Sequence, residues 1–159
     1  MKNMEHAYPK AYLDDVVEAQ GKLFDFVAHN HPDMDTADFI VHYMKSATRK
    51  HIDDAQAYVC TMDYKELWDY FQKNEHYSFR PGESLQGFLP DWIGEFYAYY
   101  QWYYNLTSAE LIDQVPVSYL INAYPGLHDL DLDLAVQKVG PIQTSSLSSL
   151  EEAIRAKRN

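Results

Sequence analysis

The side chains best suited to binding a charged ligand lie between residues 45 and 53. Lys45, Arg49 and Lys50 are cations, and Ser46 and Asp53 add a hydroxyl and a carboxylate. On one continuous helix, Lys45 and Arg49 share a face, and Ser46, Lys50 and Asp53 share the neighbouring face. Such a patch suits an anionic ligand or an acidic segment of a partner. The alternative is pairing with carboxylates of the same chain, which the excess of 24 acidic over 13 basic residues favours.

A second candidate group centres on His128, a residue type that can act as a general base near neutral pH. Asp131 follows three residues later. If the fold brought His128 and Asp131 to Ser46 and Arg49, the four would line a pocket together with tyrosines. However, no nucleophile motif accompanies His128, and Asp131 also suits the N-cap of a helix. A packed or hydrogen-bonded histidine is therefore the favoured interpretation.

Histidines and carboxylates alternate over residues 29–35, and such side chains can bind zinc or another divalent ion. They are His29, His31, Asp33 and Asp35. Their spacing matches no closed metal site, and a histidine-rich helix end before a proline explains the pattern equally well. Cys60 has no local signature of an activated thiol, so we expect a buried structural cysteine.

The alternating aspartates of residues 129–133 look like the start of a calcium-binding loop. Such a loop needs glycine at its sixth position and glutamate at its twelfth, but Leu134 and Gly140 stand there. Helix capping by Asp131 is the better interpretation. The sequence predicts no catalytic residue, no metal and no cofactor.

The elements that position these side chains must be organised around the aromatic stretch of residues 92–104. At 100° per residue all of its aromatic side chains except Trp102 fall on one broad arc, which predicts a central helix covered by several others. The opposite side is a row of Gly94, Ala98 and Trp102 at i, i+4 and i+8. The two small residues would let another backbone come close. Trp102 is the preferred anchor for a partner, because tryptophan is favoured at interface hot spots.

The whole pattern predicts an all-α protein: a single compact domain of about six or seven helices. We expect a flexible N-terminus over residues 1–10, a helical domain over 11–140, and a serine-rich linker with a short C-terminal helix over 141–159. For residues 56–61 the sequence slightly favours a helix over an extended segment. Residues 74–89 are the longest stretch predicted to be irregular. Predicted N-caps are Asp35, Asp63, Thr107 and Asp131.

Charge and composition narrow the function classes. The net charge is −11, which disfavours direct binding to nucleic acid or anionic membranes and favours basic partners or simply solubility. The C-terminal end reverses this trend locally with Arg155, Lys157 and Arg158. A single cysteine excludes a disulfide within the chain. No apolar run approaches the ~20 residues that cross a bilayer, and the default expectation is a cytoplasmic protein.

Three stretches stand out together: residues 39–46 (FIVHYMKS) with Lys50 and Asp53, residues 92–94 (WIG) with Tyr97 and Tyr99, and residues 127–131 (LHDLD) with Ala135 and Val136. In these stretches the chain resembles an uncharacterised family of small all-helical proteins from low-GC Gram-positive bacteria. The resemblance covers about residues 39–139. Members of that family are often encoded beside toxin-like genes and sometimes labelled antitoxins. The resemblance implies an antitoxin-like role and carries over no catalytic residue.

The first hypothesis is therefore a non-enzymatic protein-interaction module whose acidic surface covers a basic protein partner. Its expected contacts are the row of Gly94, Ala98 and Trp102 and the patch of residues 45–53. One alternative is a small enzyme or ligand-binding domain with a pocket lined by tyrosines and His128. Another is a structural module that associates with itself, which leaves a homodimer open.

Overall fold

A computed structural model describes residues 6–141, and these residues form nine α-helices without a β-strand. The all-α prediction is confirmed, with two or three more helices than expected. The helices, in chain order, are α1 (Lys10–Asn30), α2 (Thr36–Met44), α3 (Ala47–Asp53), α4 (Ala57–Cys60), α5 (Tyr64–Glu75), α6 (Leu89–Tyr103), α7 (Ser108–Gln114), α8 (Val117–Leu127) and α9 (Leu132–Val139).

Helix α6 is the centre of the domain, as its aromatic content predicts. Phe96, Tyr97 and Tyr100 have no measurable exposure. The tyrosine hydroxyls are paired despite burial, since Tyr97 donates to the Val115 carbonyl at 2.6 Å and Tyr100 donates to the Gly140 carbonyl. These bonds fasten α6 to the ends of α7 and α9.

Helix α1 packs along α6 with a close approach of the two backbones at Gly94. A Cβ added at Gly94 would lie 2.6 Å from the Gln20 carbonyl oxygen and 2.8 Å from the Gly21 Cα. The Gln20 amide donates to the Gly94 carbonyl at 2.7 Å. The sequence prediction that Gly94 admits a second backbone is confirmed, and that backbone belongs to α1.

Substituting Gly94 by alanine is expected to destabilise the protein by about 1–3 kcal/mol, because the new methyl group would meet backbone atoms of α1 that cannot rotate away. The matched control is Gly126→Ala in α8, where an added Cβ meets nothing within 4 Å. That variant should be unchanged or more stable by up to about 1 kcal/mol, since alanine favours helix. Urea denaturation followed by circular dichroism compares the two, and equal midpoints would contradict the close helix crossing.

Local start and stop signals place most helix ends. The Asp35 side chain accepts from the Asp38 N–H, and Asp63 and Thr107 form complete capping boxes. Asp131 occupies the N-cap position of α9, although its side chain makes no capping bond. Helix α8 continues through Pro125 to Leu127, although proline lacks the N–H that a helix interior uses.

The first residues described also differ from the expectation of a flexible N-terminus. Tyr8 is 2% exposed. The Trp102 indole N–H donates to the Tyr8 carbonyl at 2.8 Å, and the His6 ring stacks on Trp102 with 3.9 Å between centroids. Aromatic packing on α6 therefore holds residues 6–9. The predicted serine-rich linker and C-terminal helix fall almost wholly outside the described residues.

Within residues 6–141, no helix combines the length and the apolarity that a membrane span requires.

Candidate functional site

The predicted patch of residues 45–53 is not one helical face, because one helix ends before Ser46 and another begins after it. Lys45 ends α2 as its C-cap, and Ser46 begins α3 as its N-cap. The Ser46 hydroxyl accepts from the Arg49 N–H at 3.1 Å and donates to the Tyr43 carbonyl at 2.6 Å. Lys45 and Arg49 therefore belong to different helices, and the expectation that they share a face is wrong.

Arg49 lies inside the protein with no measurable exposure. Its Nη1 atom is 3.6 Å from an Asp53 carboxylate oxygen, and its Nη2 donates to the Gln101 side-chain oxygen at 3.3 Å. Asp53 also accepts from the Ser108 N–H at 2.8 Å and the Ser108 hydroxyl at 2.7 Å. This buried network joins α3 to α6 and to the first turn of α7.

Burial and pairing act in opposite directions on these charges. Burial raises the pKa of Asp53, while Arg49 and the two bonds from Ser108 lower it by a smaller amount. Burial lowers the pKa of Arg49, but the charge of Asp53 and smaller contributions from Tyr8 and Tyr43 together outweigh burial and leave the pKa above its ordinary value. The arrangement is a charge pair held in the core, which serves architecture rather than ligand capture.

The two exposed lysines of the patch also form ion pairs within the chain. Lys45 Nζ lies 2.8 Å from a carboxylate oxygen of Asp113, and Lys50 Nζ lies 3.1 Å from one of Asp54. A pocket of about 200 Å³ opens beside them, lined by both lysines and both Asp53 and Asp54. These cations therefore pair with carboxylates of the same chain, which is the alternative that the acidic composition favoured over ligand binding.

The second predicted contact, the row of Gly94, Ala98 and Trp102, is covered. Ala98 is fully buried and Trp102 is 4% exposed. Helix α1 lies over Gly94, and His6 and Tyr8 lie over Trp102. The row offers no surface to a partner in this structure, because the same chain fills it.

His128 and Asp131 do not join Ser46 and Arg49. His128 is exposed, stacks on Tyr124 at 4.5 Å between centroids, and pairs with Asp129 at 3.3 Å. Asp131 is exposed at the start of α9. In contrast, Arg49 is buried beside α6 and α7, so the predicted pocket combining all four residues does not form.

The histidines and the cysteine that the sequence offered as candidates for metal binding or reactivity make packing and pairing contacts within the fold. His29 pairs with Asp25 at 3.0 Å, and His31 stacks on Phe79 at 4.1 Å between centroids. Over residues 6–141 no three metal-binding side chains cluster in a way that could hold an ion. Cys60 is buried, and burial raises the pKa of its thiol to about 11, so the thiol is a poor nucleophile.

The solvent-facing side of α6 is a surface that the sequence analysis missed. Asp91, Glu95, Tyr99 and Tyr103 are partly exposed and follow one another at intervals of four residues; we call them the α6 stripe. The rings of Tyr99 and Tyr103 stack with 6.1 Å between centroids. The i, i+4 spacing was readable in the sequence, but the broad aromatic arc placed both tyrosines in the core.

Carboxylates of neighbouring helices crowd this stripe. Burial, followed by the charges of Asp91 and Glu18, raises the pKa of Glu95 to about 7. Burial and the charge of Asp25 also raise the pKa of Asp91, against a smaller opposing effect of Lys22. Lys22 itself lies 3.7 Å from Glu18.

The other end of the stripe is acidic as well. Burial raises the pKa of the Tyr99 hydroxyl, with further contributions from Asp133 of α9 and Asp14 of α1. Among the described residues, neither Asp91 nor Glu95 has a cation within ion-pair distance. The stripe is thus an aromatic and acidic surface whose carboxylates have no ion-pair partner in the described fold, although Lys22 partly offsets the charge around Asp91.

The crowding predicts a pH-dependent stability. The folded pKa of Glu95, about 7, exceeds its ordinary value of 4.5; the folded state therefore binds the proton more tightly, and stability falls as pH rises across that interval. Glu95→Gln should be more stable than the unaltered protein at about pH 8, with a smaller difference at about pH 5.

Urea midpoints at the two pH values check this, with Glu83→Gln in the exposed loop before α6 as the control. The control should follow the unaltered protein at both pH values. A Glu95→Gln midpoint that is no higher at about pH 8 would contradict the crowding.

Comparisons of the chain with protein-family models, curated proteins and solved structures give no match.

Proposed function

We propose that this protein is a non-enzymatic interaction module that binds a basic protein partner through the α6 stripe. The observation that carries the proposal is the pair Asp91 and Glu95, half-buried and without a cation at ion-pair distance in the described fold. A cation from a partner would relieve this repulsion and gain charge-assisted hydrogen bonds in a partly desolvated setting.

The two stacked tyrosines of the stripe suit the same kind of partner. Tyr99 and Tyr103 present aromatic surface beside the carboxylates. Arginine and lysine bind over such rings by cation–π attraction, while their carboxylate contacts fix position. Basic side chains can pair with the carboxylates of the stripe and also bind over its tyrosine rings. A purely apolar segment could contact only the rings, and the carboxylates would repel an acidic one.

An antitoxin-like role accords with this chemistry. A toxin that acts on nucleic acid or nucleotides carries a basic surface to bind phosphates, and an acidic protein can cover such a surface and associate with it rapidly. The role is what the family resemblance implies, and the stripe supplies a place for the contact. The alternative of a small enzyme loses its main support because His128 is exposed whereas Arg49 is buried and paired with Asp53 and Gln101.

The test is affinity capture of the tagged protein from its own cell lysate, followed by native mass spectrometry and by binding measurements on the purified partner. We expect one stoichiometric basic protein. Its affinity should fall at least tenfold, about 1.4 kcal/mol, when Asp91→Asn and Glu95→Gln are combined.

The control combines Asp69→Asn and Glu83→Gln, two exposed carboxylates outside the stripe that remove the same charge. It should change the affinity by less than threefold or so. Equal losses in both double variants would show a general charge effect and contradict the stripe as the site. A protein that elutes without any partner would contradict the interaction role.

A further inference from the structure

Helix α8 presents an outer side without charged residues. Residues 114–128 contain no Asp, Glu, Lys or Arg, which makes them the longest such stretch of the chain. Each of the other described helices longer than one turn carries at least one carboxylate. The exposed residues of α8, which we call the α8 face, are Ser118, Tyr119, Ile121, Asn122, Pro125 and Gly126.

The fold holds α8 by its opposite side. Leu120 is fully buried, and the Tyr124 ring contacts Trp92 of α6 with 5.3 Å between centroids. In contrast, Tyr119 and Ile121 are two of the five large hydrophobic side chains that are exposed in the part of the chain that the structure describes. Helix α8 is thus anchored inward, and it turns apolar and uncharged polar side chains towards solvent.

A second copy of this chain is the occupant that the charges favour. Each copy has a net charge of −11, so two copies repel each other most where their carboxylates would meet. The α8 face lets two copies meet without placing a carboxylate inside the contact. It also suits a two-fold symmetric dimer, because such a dimer uses the same surface twice and any charge near its axis would meet its own copy.

The carboxylates at the two ends of the uncharged stretch have cationic partners in their own chain. An oxygen of Asp113 lies 2.8 Å from Lys45 Nζ, and one of Asp129 lies 3.3 Å from His128 Nε2. In an antiparallel contact between two copies of α8, the start of one helix lies near the end of the other. The first pair, and the second where His128 is protonated, reduce the repulsion between these ends.

A lipid surface fits the α8 face less well than a second copy does. Helices that lie in a membrane interface combine an apolar side with Lys and Arg, which bind anionic headgroups. Residues 114–128 supply neither cation, and the net charge of −11 repels an anionic membrane.

We infer that the protein forms a weak two-fold dimer through the α8 face. Helix α8 has 11 residues and is about 16 Å long, so its outer side buries much less than the roughly 800 Å² per partner of a standard interface. The dimer therefore dissociates with a constant between about 10 μM and about 1 mM. It shares no residue with the α6 stripe and does not rest on the proposed function.

Sedimentation velocity of the full chain, from about 5 μM to about 1 mM, tests the dimer. We expect the mean sedimentation coefficient to rise with concentration. Raising NaCl from about 0.05 M to about 0.5 M should tighten the dimer at least threefold or so, because salt screens the repulsion between the acidic copies and preserves the apolar contact.

A monomer at every concentration would overturn the proposal, as would an association that weakens with salt. Co-sedimentation of such a monomer with phosphatidylcholine vesicles would assign the face to a lipid surface instead.

A matched pair of substitutions locates the contact. Tyr119 of α8 and Tyr58 of α4 are 46% and 53% exposed, so Tyr119→Glu and Tyr58→Glu add the same charge at sites of similar exposure. Tyr119→Glu should weaken the dimer by about tenfold or more, because each copy would bring a carboxylate into the contact. Tyr58→Glu should change it by less than about threefold. Equal effects would overturn the α8 face as the contact.

Cysteine substitution gives a second measurement that does not depend on how the new carboxylates affect folding. Ser118→Cys, Asn122→Cys and Gly126→Cys place a thiol along the α8 face, and the native Cys60 is buried. Under oxidation at least one variant should form a disulfide-linked dimer about fivefold faster than Gln72→Cys on exposed α5, because a disulfide needs Cα atoms within about 7 Å. Rates no higher than that of Gln72→Cys in all three variants would overturn the proposal.

Discussion

Replacing Arg49 by alanine is expected to destabilise the protein by about 3–5 kcal/mol, since one partner of a buried charge pair is removed. Asp53 would keep its two hydrogen bonds from Ser108 but lose the cation 3.6 Å away. The Gln101 side-chain oxygen would lose its donor. Unfolding in urea, followed by circular dichroism, measures the loss.

The dependence on pH separates this effect from a simple loss of packing. Burial already raises the pKa of Asp53, and removal of Arg49 takes away the largest influence that lowers it. The folded variant therefore holds the proton on Asp53 to higher pH, and its deficit in stability should shrink as the solution becomes acidic. A deficit that is constant with pH would contradict the charge-pair explanation.

A neighbouring lysine provides the control for Arg49. Lys50→Ala removes an exposed pair with Asp54 at 3.1 Å in the same short helix. Exposed pairs of this spacing contribute about 0.5 kcal/mol or less. Similar losses in Arg49→Ala and Lys50→Ala would show that the buried network contributes little to the fold.

Replacing Trp102 by alanine is expected to cost about 3–5 kcal/mol, the range for removing a large aromatic side chain from a core. Trp102 is 4% exposed, supports the stacked His6 ring and donates to the Tyr8 carbonyl. The variant should lose the anchoring of residues 6–9 together with the packing of α6. Circular dichroism in urea is the appropriate measurement, because the substitution itself alters tryptophan fluorescence.

The control for Trp102 is Phe88→Ala, since Phe88 is 77% exposed at the start of α6. Its midpoint should change by less than about 0.5 kcal/mol in stability. The hypothesis that Trp102 anchors a partner makes the opposite prediction: lost binding with an unchanged midpoint. That outcome would contradict the buried position described here.

The sequence predicted the features of the fold that depend on neighbouring residues. The aromatic stretch at α6 and the caps at Asp35, Asp63 and Thr107 act within one or two turns, and each is confirmed. Ser46 shows the limit of local reasoning. Its residue type suits a cap as well as a binding patch, and the patch hypothesis treated residues 45–53 as one helix.

The candidate site depends on contacts between residues far apart in the chain. Asp53 meets Ser108 across 55 positions, and Arg49 meets Gln101 across 52. No spacing rule relates such pairs, so a buried network was indistinguishable from a ligand patch. Periodicity could show that Glu95 and Tyr99 share a face, but only the packed helices show that this face remains partly open.

The crossing of α1 and α6 at Gly21 and Gly94 also matters during synthesis. About 60 residues separate the end of α1 from the start of α6. At about 5–20 residues per second, a ribosome needs roughly 3–12 seconds to make them. Throughout that interval the side of α1 that packs on α6 at Gln20 and Gly21 has been synthesised without the helix that covers it. The nascent chain therefore displays a transient hydrophobic segment on which chaperones can act.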